Sequence, residues 1–239
     1  MNWSLVIFFF VTTHITIACV SLYLHRYLTH RQFTLNPVLE HAMRFWLWFC
    51  DGVISKPWVA QHRKHHKYTD VTGDPHSPKL FGYWHVTYQC LIPNFVRIYQ
   101  YFDTDWALEH YGVGTPEDWL EKNVYAKYPR LGLILFLMLC ISIFGWQGAV
   151  MWVCFLFYVP FFTTASISGF AHWFGYRHPD SKDNSRNLFP IGILIVGDEL
   201  HNNHHRDPTN PNFAHRWFEF DLGYFYVRVF QKLGLLKLK

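Results

Sequence analysis

The most constraining feature of this sequence is its long apolar stretches, which are almost free of charge. Residues 3–24 contain no Asp, Glu, Lys or Arg over 22 positions, enough for a helix to cross a hydrocarbon core of about 30 Å. Residues 131–144 and 149–167 form a second apolar block, which residues 145–148 divide into a helical hairpin. Charged residues make up only 16% of the chain, compared with about 25% in soluble domains. We therefore predict an all-α integral membrane protein with about three transmembrane helices, in a single domain over residues 1–239.

Three short histidine runs lie next to the apolar stretches. One has the pattern H-x-x-x-x-H and two have the pattern H-x-x-H-H, and their histidines are His25, His30, His62, His65, His66, His201, His204 and His205. Side chains three and four residues apart lie on one face of an α-helix, so we expect each H-x-x-H-H run to direct three imidazoles to one point. Neutral imidazole binds iron, copper, zinc and nickel. These ligands are too many for one ion, and the runs therefore predict a site for two.

The order of the runs along the chain predicts how it crosses the membrane. Residues 38–55 are apolar but include Glu40, Arg44 and Asp51, and they lie between the first two runs. Because one crossing there would place those runs on opposite sides, we expect this segment to form an interfacial helix. The short apolar segment 188–196 precedes the third run and is expected to pack beneath the metal site.

The distribution of positive charge indicates which side the runs face. Lys and Arg concentrate on the histidine-bearing segments, so the positive-inside rule predicts a cytoplasmic, histidine-rich cap that holds the two metals. The N-terminus is then expected on the opposite side of a bacterial inner membrane or the endoplasmic reticulum. The net charge of +4 suits an anionic lipid surface or an anionic substrate head group. The sequence has no basic patch interleaved with aromatic residues, which argues against a nucleic-acid partner. It also has no nucleotide-binding motif and no serine-triad motif.

In this order, the histidine runs resemble the three histidine boxes of the membrane fatty-acid desaturases. Residues 58–67 (WVAQHRKHHK) followed by Asp-Pro-His-Ser at 74–77 resemble the second-box region of the acyl-CoA Δ9 desaturases. Residues 169–177 (GFAHWFGYR) are similar to the segment after their last transmembrane helix, and residues 197–205 (GDELHNNHH) match their third box. The resemblance covers about residues 5–215.

This resemblance implies a di-iron centre with nine histidine ligands, which are the histidines of the three runs together with His172. It implies an enzyme that uses O2 and two electrons to introduce a cis double bond, with Δ9 as the family-based position, into a saturated acyl chain. The implied substrate is a fatty acyl thioester, first of all acyl-CoA. Because the chain contains no cytochrome b5-like His-Pro-Gly-Gly motif, the electrons are expected from a separate donor of the cytochrome b5, ferredoxin or rubredoxin type.

Residues near the ligands are expected to orient them. Carboxylates beside the runs are candidates to hold the second ring nitrogen of the histidines, and these are Asp70, Asp74, Asp198 and Glu199. Ser168 stands where the animal enzymes of the family have an asparagine that reaches a metal through water, and a serine hydroxyl can also hold a water. His76 is expected to support the site rather than bind metal, and His14 is expected in the core or beside the substrate.

The acyl chain is expected to pass the irons and continue into an apolar tunnel along the first helix. Counting back from His25 by helical turns predicts a tunnel wall formed by Phe9, Thr13, Ala18 and Ser21. Packing of the same residues against other membrane helices is an equally open alternative. The animal enzymes have two transmembrane helices before the first box, whereas this chain has one. Gln61 and Ala165 replace an aspartate and a tryptophan near their acyl-CoA head-group region, so head-group specificity is not carried over.

Two other functions stay open at this point. A fatty acyl or lipid hydroxylase of the same superfamily would use the same histidine boxes, and a non-catalytic membrane protein could bind or transport metal with them. A transporter is expected to place ionisable residues at mid-membrane. Apart from His14, the ionisable residues gather at one face of the predicted membrane segments, which favours the enzyme.

Overall fold

The computed structural model describes residues 2–91 and 105–239, which are mostly helical, as the sequence predicts. The α-helices are α1 (Trp3–Cys19), α2 (Pro37–Cys50), α3 (Ser55–Tyr68), α4 (Pro78–Phe81), α5 (Tyr83–Leu91), α6 (Asp105–Tyr111), α7 (Pro129–Phe144), α8 (Trp146–Pro160), α9 (His201–Arg206) and α10 (Leu222–Lys232). π-Helical segments occupy Val20–Thr29, Glu121–Tyr125 and Phe161–Gly169, and a 3₁₀ turn follows at Phe170–His172. The strands are β1 (Phe33–Leu35), β2 (Ile191–Gly192), β3 (Phe220–Asp221) and β4 (Leu236–Leu238).

Two helices of the described residues are long and apolar enough to cross a membrane. They are Trp3–Thr29 and Trp146–His172, with 27 residues each. Both continue past the predicted ends at residues 24 and 167, because hydropathy marks only the apolar part while the helical hydrogen bonds run on into polar residues. α7 is apolar but has only 16 residues, about 24 Å of helix. The third crossing therefore stays a prediction.

α7 and α8 pack as the expected hairpin. Gly145 forms the turn with a φ of +60°, a conformation that a side chain would strain. Gly148 then lies against the Cys140 carbonyl, where a Cβ atom would not fit. The rings of Phe136 and Phe155 meet edge to face at a centroid distance of 5.1 Å in the core between the two helices.

The segment predicted to be interfacial forms α2 and packs against the long N-terminal helix. The Trp46 Nε1 atom donates a hydrogen bond to the Thr16 hydroxyl at 2.9 Å. Arg44, one of the charges that argued against a crossing, pairs with Asp118 at 2.6 Å and lies 3.8 Å from Glu121. These contacts fix α2 within the protein, while its position relative to a bilayer stays a prediction.

The C-terminal part of the chain closes the histidine-bearing side of the molecule. β4 pairs antiparallel with β1, and β3 pairs parallel with β2. Asp221 caps α10 by accepting a hydrogen bond from the Tyr224 backbone N–H at 3.0 Å. The Tyr226 hydroxyl lies 2.8 Å from the His14 Nε2 atom, so the C-terminal helix is attached to the middle of α1.

The segment 188–196 is only partly buried, unlike the prediction. Ile195 and Val196 at its end pack against Ile17 and Ile167 of the two long helices. The apolar side chains between residues 189 and 194 are exposed instead.

Candidate metal centre

The nine predicted histidines come together in two adjacent groups. Within each group, the candidate ligand nitrogens lie within 4.8 Å of one another. The five-histidine cluster consists of His25, His30, His62, His66 and His204. The four-histidine cluster consists of His65, His172, His201 and His205.

Each H-x-x-H-H run contributes to both clusters, so the expectation that a run points at one place was wrong. On α3, His62 and His66 belong to the five-histidine cluster while His65 belongs to the other. On α9 the division is reversed, and only His204 joins the five-histidine cluster. Successive residues of an α-helix are rotated by about 100°, so the adjacent histidines of a run diverge. Each helix therefore bridges the two clusters.

A π-helical segment explains the wider spacing of the first run. On an α-helix, side chains five residues apart point about 140° away from each other. In Val20–Thr29 the hydrogen bonds instead join residues five apart, and the His30 N–H donates to the His25 carbonyl at 3.1 Å. The two imidazoles consequently lie on one side, with ring centroids 4.9 Å apart.

The nitrogen positions fit metal coordination. The Nε2 atom of His204 lies 2.9 Å from that of His25 and 3.1 Å from that of His66. In the four-histidine cluster, the Nε2 atoms of His172 and His201 are 2.9 Å apart. Neighbouring ligands of one ion with bonds of about 2.1 Å would be separated by about 3 Å.

Several ring nitrogens of the clusters are buried without a hydrogen-bond partner in the described part of the chain. They include the Nε2 atoms of His30, His65 and His205. A buried nitrogen without a partner is costly, and a metal ion would satisfy it. The two clusters thus have nitrogen donors of the type and spacing that two metal ions require, and several of these nitrogens have no hydrogen-bond partner among the described residues.

Carboxylates hold the opposite ring nitrogen of four of these histidines. The pairs, each formed through Nδ1, are His25 with Asp198 at 3.1 Å, His65 with Asp74 at 3.0 Å, His172 with Asp70 at 3.0 Å and His205 with Asp183 at 2.9 Å. Such a bond fixes the tautomer with the proton on Nδ1, turns Nε2 toward the metal and raises its basicity. Three of these carboxylates were candidates from the sequence. Asp183 was missed, because no spacing in the sequence connects it to the third run.

Burial disfavours the charged form of several imidazoles in both clusters. Burial lowers the pKa of His62, His66 and His204, and of His201 and His205, well below the ordinary value. These imidazoles therefore have lone pairs available for a metal. Burial alone would raise the pKa of Asp74, but the hydrogen bond and charge of His65 outweigh it and lower that pKa, so Asp74 stays ionised.

Glu199 has a different position from the one predicted. Its carboxylate accepts hydrogen bonds from the backbone N–H groups of Ile195 at 2.7 Å and Gly197 at 3.1 Å, and not from a described histidine. Val196, between them, has a φ of +56°, which is strained for a β-branched residue. Glu199 thus stabilises the turn that leads into α9. Burial raises the pKa of Glu199 to about 7.

A small cavity of about 40 Å³ lies beside both clusters. His25 and His62 of one cluster and His65 and His201 of the other reach it. Its remaining walls include Val20, Trp58, Gln61, Thr163, Thr164, Ile167 and Ser168. Ser168 is therefore next to the clusters, as its place in the sequence suggested.

None of the four predicted tunnel residues lines this cavity. Ser21 instead donates to Asp198 at 3.0 Å, the Thr13 hydroxyl donates to the Phe9 carbonyl at 2.9 Å, and Ala18 packs in a core cluster. The cause is the π-helix, which the α-helical count did not include. Five residues before His25, instead of four, the chain has Val20, and Val20 lines the cavity.

Arg26 is a further residue that sequence reasoning missed. Its guanidinium is fully buried, donates two hydrogen bonds to Asp221 at 3.0 and 3.1 Å, and lies 3.3 Å from Asp198. It also stacks 3.8 Å over the Phe213 ring. Arg26 thereby holds Asp198 in place against His25.

Of the remaining histidines, His76 forms with His65 and Asp74 a third group whose candidate ligand atoms lie within 4.8 Å of one another, so its supporting role stays a prediction. The His76 ring stacks on His65 at 4.4 Å, and its backbone N–H donates to Asp74 at 3.0 Å. The others lie outside both clusters, and these are His14, His41, His85, His110, His178 and His215.

Fold and site together define a mostly helical protein with paired polyhistidine clusters that could hold two metal ions. The family model for fatty acid desaturases matches residues 1–222. The chain is 32% identical over 243 residues to the hex-5-enoyl-(acyl-carrier protein) acetylenase of Moorena producens (strain JHB), covering 91% of this chain and 71% of the relative. It is 28% identical to the Delta-9 desaturase-like 2 protein of Arabidopsis thaliana, over 98% of this chain and 76% of the relative.

A third relative is the sn-1 stearoyl-lipid 9-desaturase of Synechocystis sp. (strain ATCC 27184 / PCC 6803 / Kazusa), with 31% identity over 91% of this chain and 66% of the relative. The chain therefore belongs to the fatty acid desaturase family, and the resemblance of its histidine runs to the boxes of that family is confirmed. This family consists of membrane-associated oxidoreductases that act on fatty acyl substrates.

Proposed function

We propose that this chain is an O2-dependent di-iron desaturase that introduces a cis double bond, at Δ9, into a saturated fatty acyl chain. The observation that carries the proposal is the pair of histidine clusters beside one cavity, with four ring nitrogens held by carboxylates. The reaction removes two hydrogens from adjacent carbons of the chain, while O2 takes them up with two further electrons and protons to give water.

The nine histidines of the two clusters would hold the irons, one in each cluster. When bound, two irons supply the redox chemistry that the side chains lack, since O2 must be activated to remove hydrogen from an unactivated alkyl carbon. The neutral imidazoles add no negative charge to the pair. Soluble di-iron proteins with Glu-x-x-His motifs use a different, carboxylate-rich ligand set.

The residues around the clusters position the reactants. Val20 and Ile167 give the cavity apolar walls suited to methylene groups, and Thr163 and Ser168 add hydroxyls to its lining. Ser168 would hold a water near the four-histidine cluster. The acyl chain would then run along the face of the first long helix that includes Val20, rather than the face of Phe9, Thr13, Ala18 and Ser21.

The carrier of the acyl chain is proposed to be a thioester, with acyl-CoA as the first candidate. The relatives named above differ in this respect, since one name specifies an acyl-carrier protein and another a stearoyl-lipid. Gln61 lies in the cavity wall, at a place where the family's acyl-CoA enzymes have an aspartate. A separate donor of the cytochrome b5, ferredoxin or rubredoxin type would provide the electrons.

We place the histidine clusters at the cytoplasmic face of a bacterial inner membrane or the endoplasmic reticulum. The support is the basic residues of the histidine-bearing segments. With three crossings, reporter tags at the two termini would lie on opposite sides of the membrane. Two cytoplasmic tags would contradict this topology and would make α2 or another segment a crossing.

Expression in a host that lacks unsaturated fatty acids tests the reaction. Mass analysis of the cellular lipids should show acyl chains lighter by two hydrogens, with the double bond at carbon 9. A gain of one oxygen would identify a hydroxylase instead, and unchanged lipids would contradict both enzymes. His65→Ala should abolish the product, whereas His110→Ala, outside both clusters, should leave it unchanged.

A further inference from the structure

Two segments of the histidine-bearing side expose large apolar side chains to the surroundings. Residues 189–194 expose Phe189, Ile191 and Leu194, each more than half accessible. Residues 217–220 expose Phe220, and they include Trp217, which is 96% accessible. We call these two segments together the apolar platform.

The burial pattern of the platform is the opposite of that expected for a segment that faces water. In residues 217–221 the aromatic side chains point outward, whereas the acidic side chains of Glu219 and Asp221 are buried. Glu219 accepts hydrogen bonds from Asn203 at 2.7 Å and from the Tyr176 hydroxyl at 2.8 Å. A segment that faces water is expected to bury its aromatic residues and expose its carboxylates. Residues 187–197 contain no charged residue at all.

The two segments form one surface that continues into a proposed membrane helix. β2 pairs with β3, which places Ile191 directly beside Phe220. A groove of about 360 Å³ separates residues 189–194 from the helix Trp146–His172, and Phe161 and Phe162 of that helix line it together with Phe189. The groove is lined mainly by apolar side chains, with Ser166 and Glu199 also in its wall, and it connects the surface of the long helix to the platform.

We propose that the apolar platform is embedded in the lipid bilayer, at the depth of the head groups and the first methylene groups. Continuity with a membrane-spanning helix favours lipid over a protein partner as the occupant. Tryptophan and phenylalanine are the residues that such an interface selects. Arg228 and Lys232 of α10 are exposed and follow residues 217–220 closely along the chain. We expect these basic side chains to contact lipid phosphates.

This insertion does not depend on the metal chemistry, and it has a consequence for the clusters. Residue 195 follows the platform directly, and α9 with the third histidine run begins six residues later, at His201. Lipid contact at the platform would therefore hold the third run at a fixed depth. The bilayer, rather than the aqueous phase, would surround this edge of the histidine-bearing side.

Fluorescent labels on one introduced cysteine per variant test the proposal, in nanodiscs that each contain one protein molecule. Cys90 and the exposed Cys154 are first replaced by serine, and Ile193→Cys and Trp217→Cys then place an environment-sensitive dye on the two segments. Lys182→Cys, at an exposed polar position, is the matched control. Both platform labels should show blue-shifted emission, quenching by spin-labelled acyl chains and loss of quenching by aqueous iodide. The control label should show the opposite.

Iodide quenching of the platform labels as strong as that of the control would overturn the proposal. It would identify the platform as a surface for a soluble protein. A second measurement needs no label, because lipids with brominated acyl chains quench tryptophan fluorescence. The difference in emission between the parent protein and the Trp217→Phe variant isolates Trp217 from the other ten tryptophans. This difference should be smaller in brominated than in ordinary lipid, and an equal difference in both lipids would contradict insertion of Trp217.

Discussion

The two histidine clusters differ in how many ligands they offer and in how those ligands are held. Among the residues that the structure describes, the five-histidine cluster has one carboxylate behind it, Asp198 on His25. The four-histidine cluster has one ligand fewer but three carboxylates, on His65, His172 and His205. The cluster with fewer imidazoles therefore has the more basic and more rigidly oriented ones.

For the proposed pair of irons, this difference predicts different roles for the two ions. A cluster of four imidazoles leaves more room for a further ligand than a cluster of five, and open positions are typical of catalytic metal sites. Ser168, four residues before His172, lines the cavity beside it. We expect the four-histidine cluster to be the more open of the two, and the five-histidine cluster to be the more closed.

Removal of one ligand from each cluster should have the largest effect. We expect His65→Ala and His204→Ala each to abolish desaturation and to lower the iron content from two ions per protein to one. The double variant should bind no iron, because the two losses are in different clusters. Iron analysis of the purified proteins measures this, with His215→Ala as a control that retains both ions. A single variant that loses both ions would contradict the division into two clusters.

The supporting carboxylates should have the next largest effect. Asp74→Asn and Asp198→Asn are each expected to weaken the affinity for one ion by about 10- to 100-fold, since an amide cannot accept the Nδ1 proton as strongly. The loss should be greater for Asp198→Asn, which also removes a partner of the buried Arg26. Retention of iron against a chelator measures both. Asp180→Asn, an exposed substitution, should match the parent.

Filling the cavity should affect the substrate without affecting either cluster. We expect Val20→Phe or Ile167→Phe to lower activity by about 100-fold or to favour shorter acyl chains, because the chain can no longer reach its position. Both irons should be retained. Ala18→Leu, at a position that does not line the cavity, should change the product profile little. A strong change with Ala18→Leu and none with Val20→Phe would restore the tunnel wall first predicted from the sequence.

The smallest effect is expected at Ser168. Loss of its hydroxyl in Ser168→Ala removes about 1 kcal/mol of hydrogen bonding, which corresponds to a roughly fivefold slower turnover. The iron content should stay at two per protein. Ser168→Asn should retain activity, since an amide can hold the same water. Equal rates for the alanine variant and the parent would exclude a role for this hydroxyl.

The identity of the ligands could be predicted from the sequence, but their distribution could not. Spacing selected eight of the nine histidines that the structure brings together, and the resemblance to a family segment added His172. The division of each run between the clusters depends on how α3 and α9 are rotated toward each other, and no local pattern encodes that rotation. Asp183 reaches His205 through a loop, so its role depends on tertiary contacts alone.

The same limit applies to the membrane segments and the cavity. Apolar composition identified the long helices but ended them too early, at residues 24 and 167. It also suggested that the segment 188–196 is buried, because hydropathy cannot distinguish a side chain that faces the core from one that faces lipid. The tunnel wall stays a prediction, but the cavity beside the clusters is lined by Val20 rather than Ser21, since the count assumed α-helical geometry where the chain is π-helical.

In the first box, a longer motif on a π-helix is equivalent to a shorter motif on an α-helix. Because its hydrogen bonds join residues five apart, H-x-x-x-x-H aligns two imidazoles there as H-x-x-x-H does on an α-helix. Loss of one residue between His25 and His30 would be compatible with the same pair of ligands, provided that the segment rewinds as an α-helix. A deletion that breaks the written motif could therefore leave the metal site intact, and one-residue variation at this box is a neutral path for divergence.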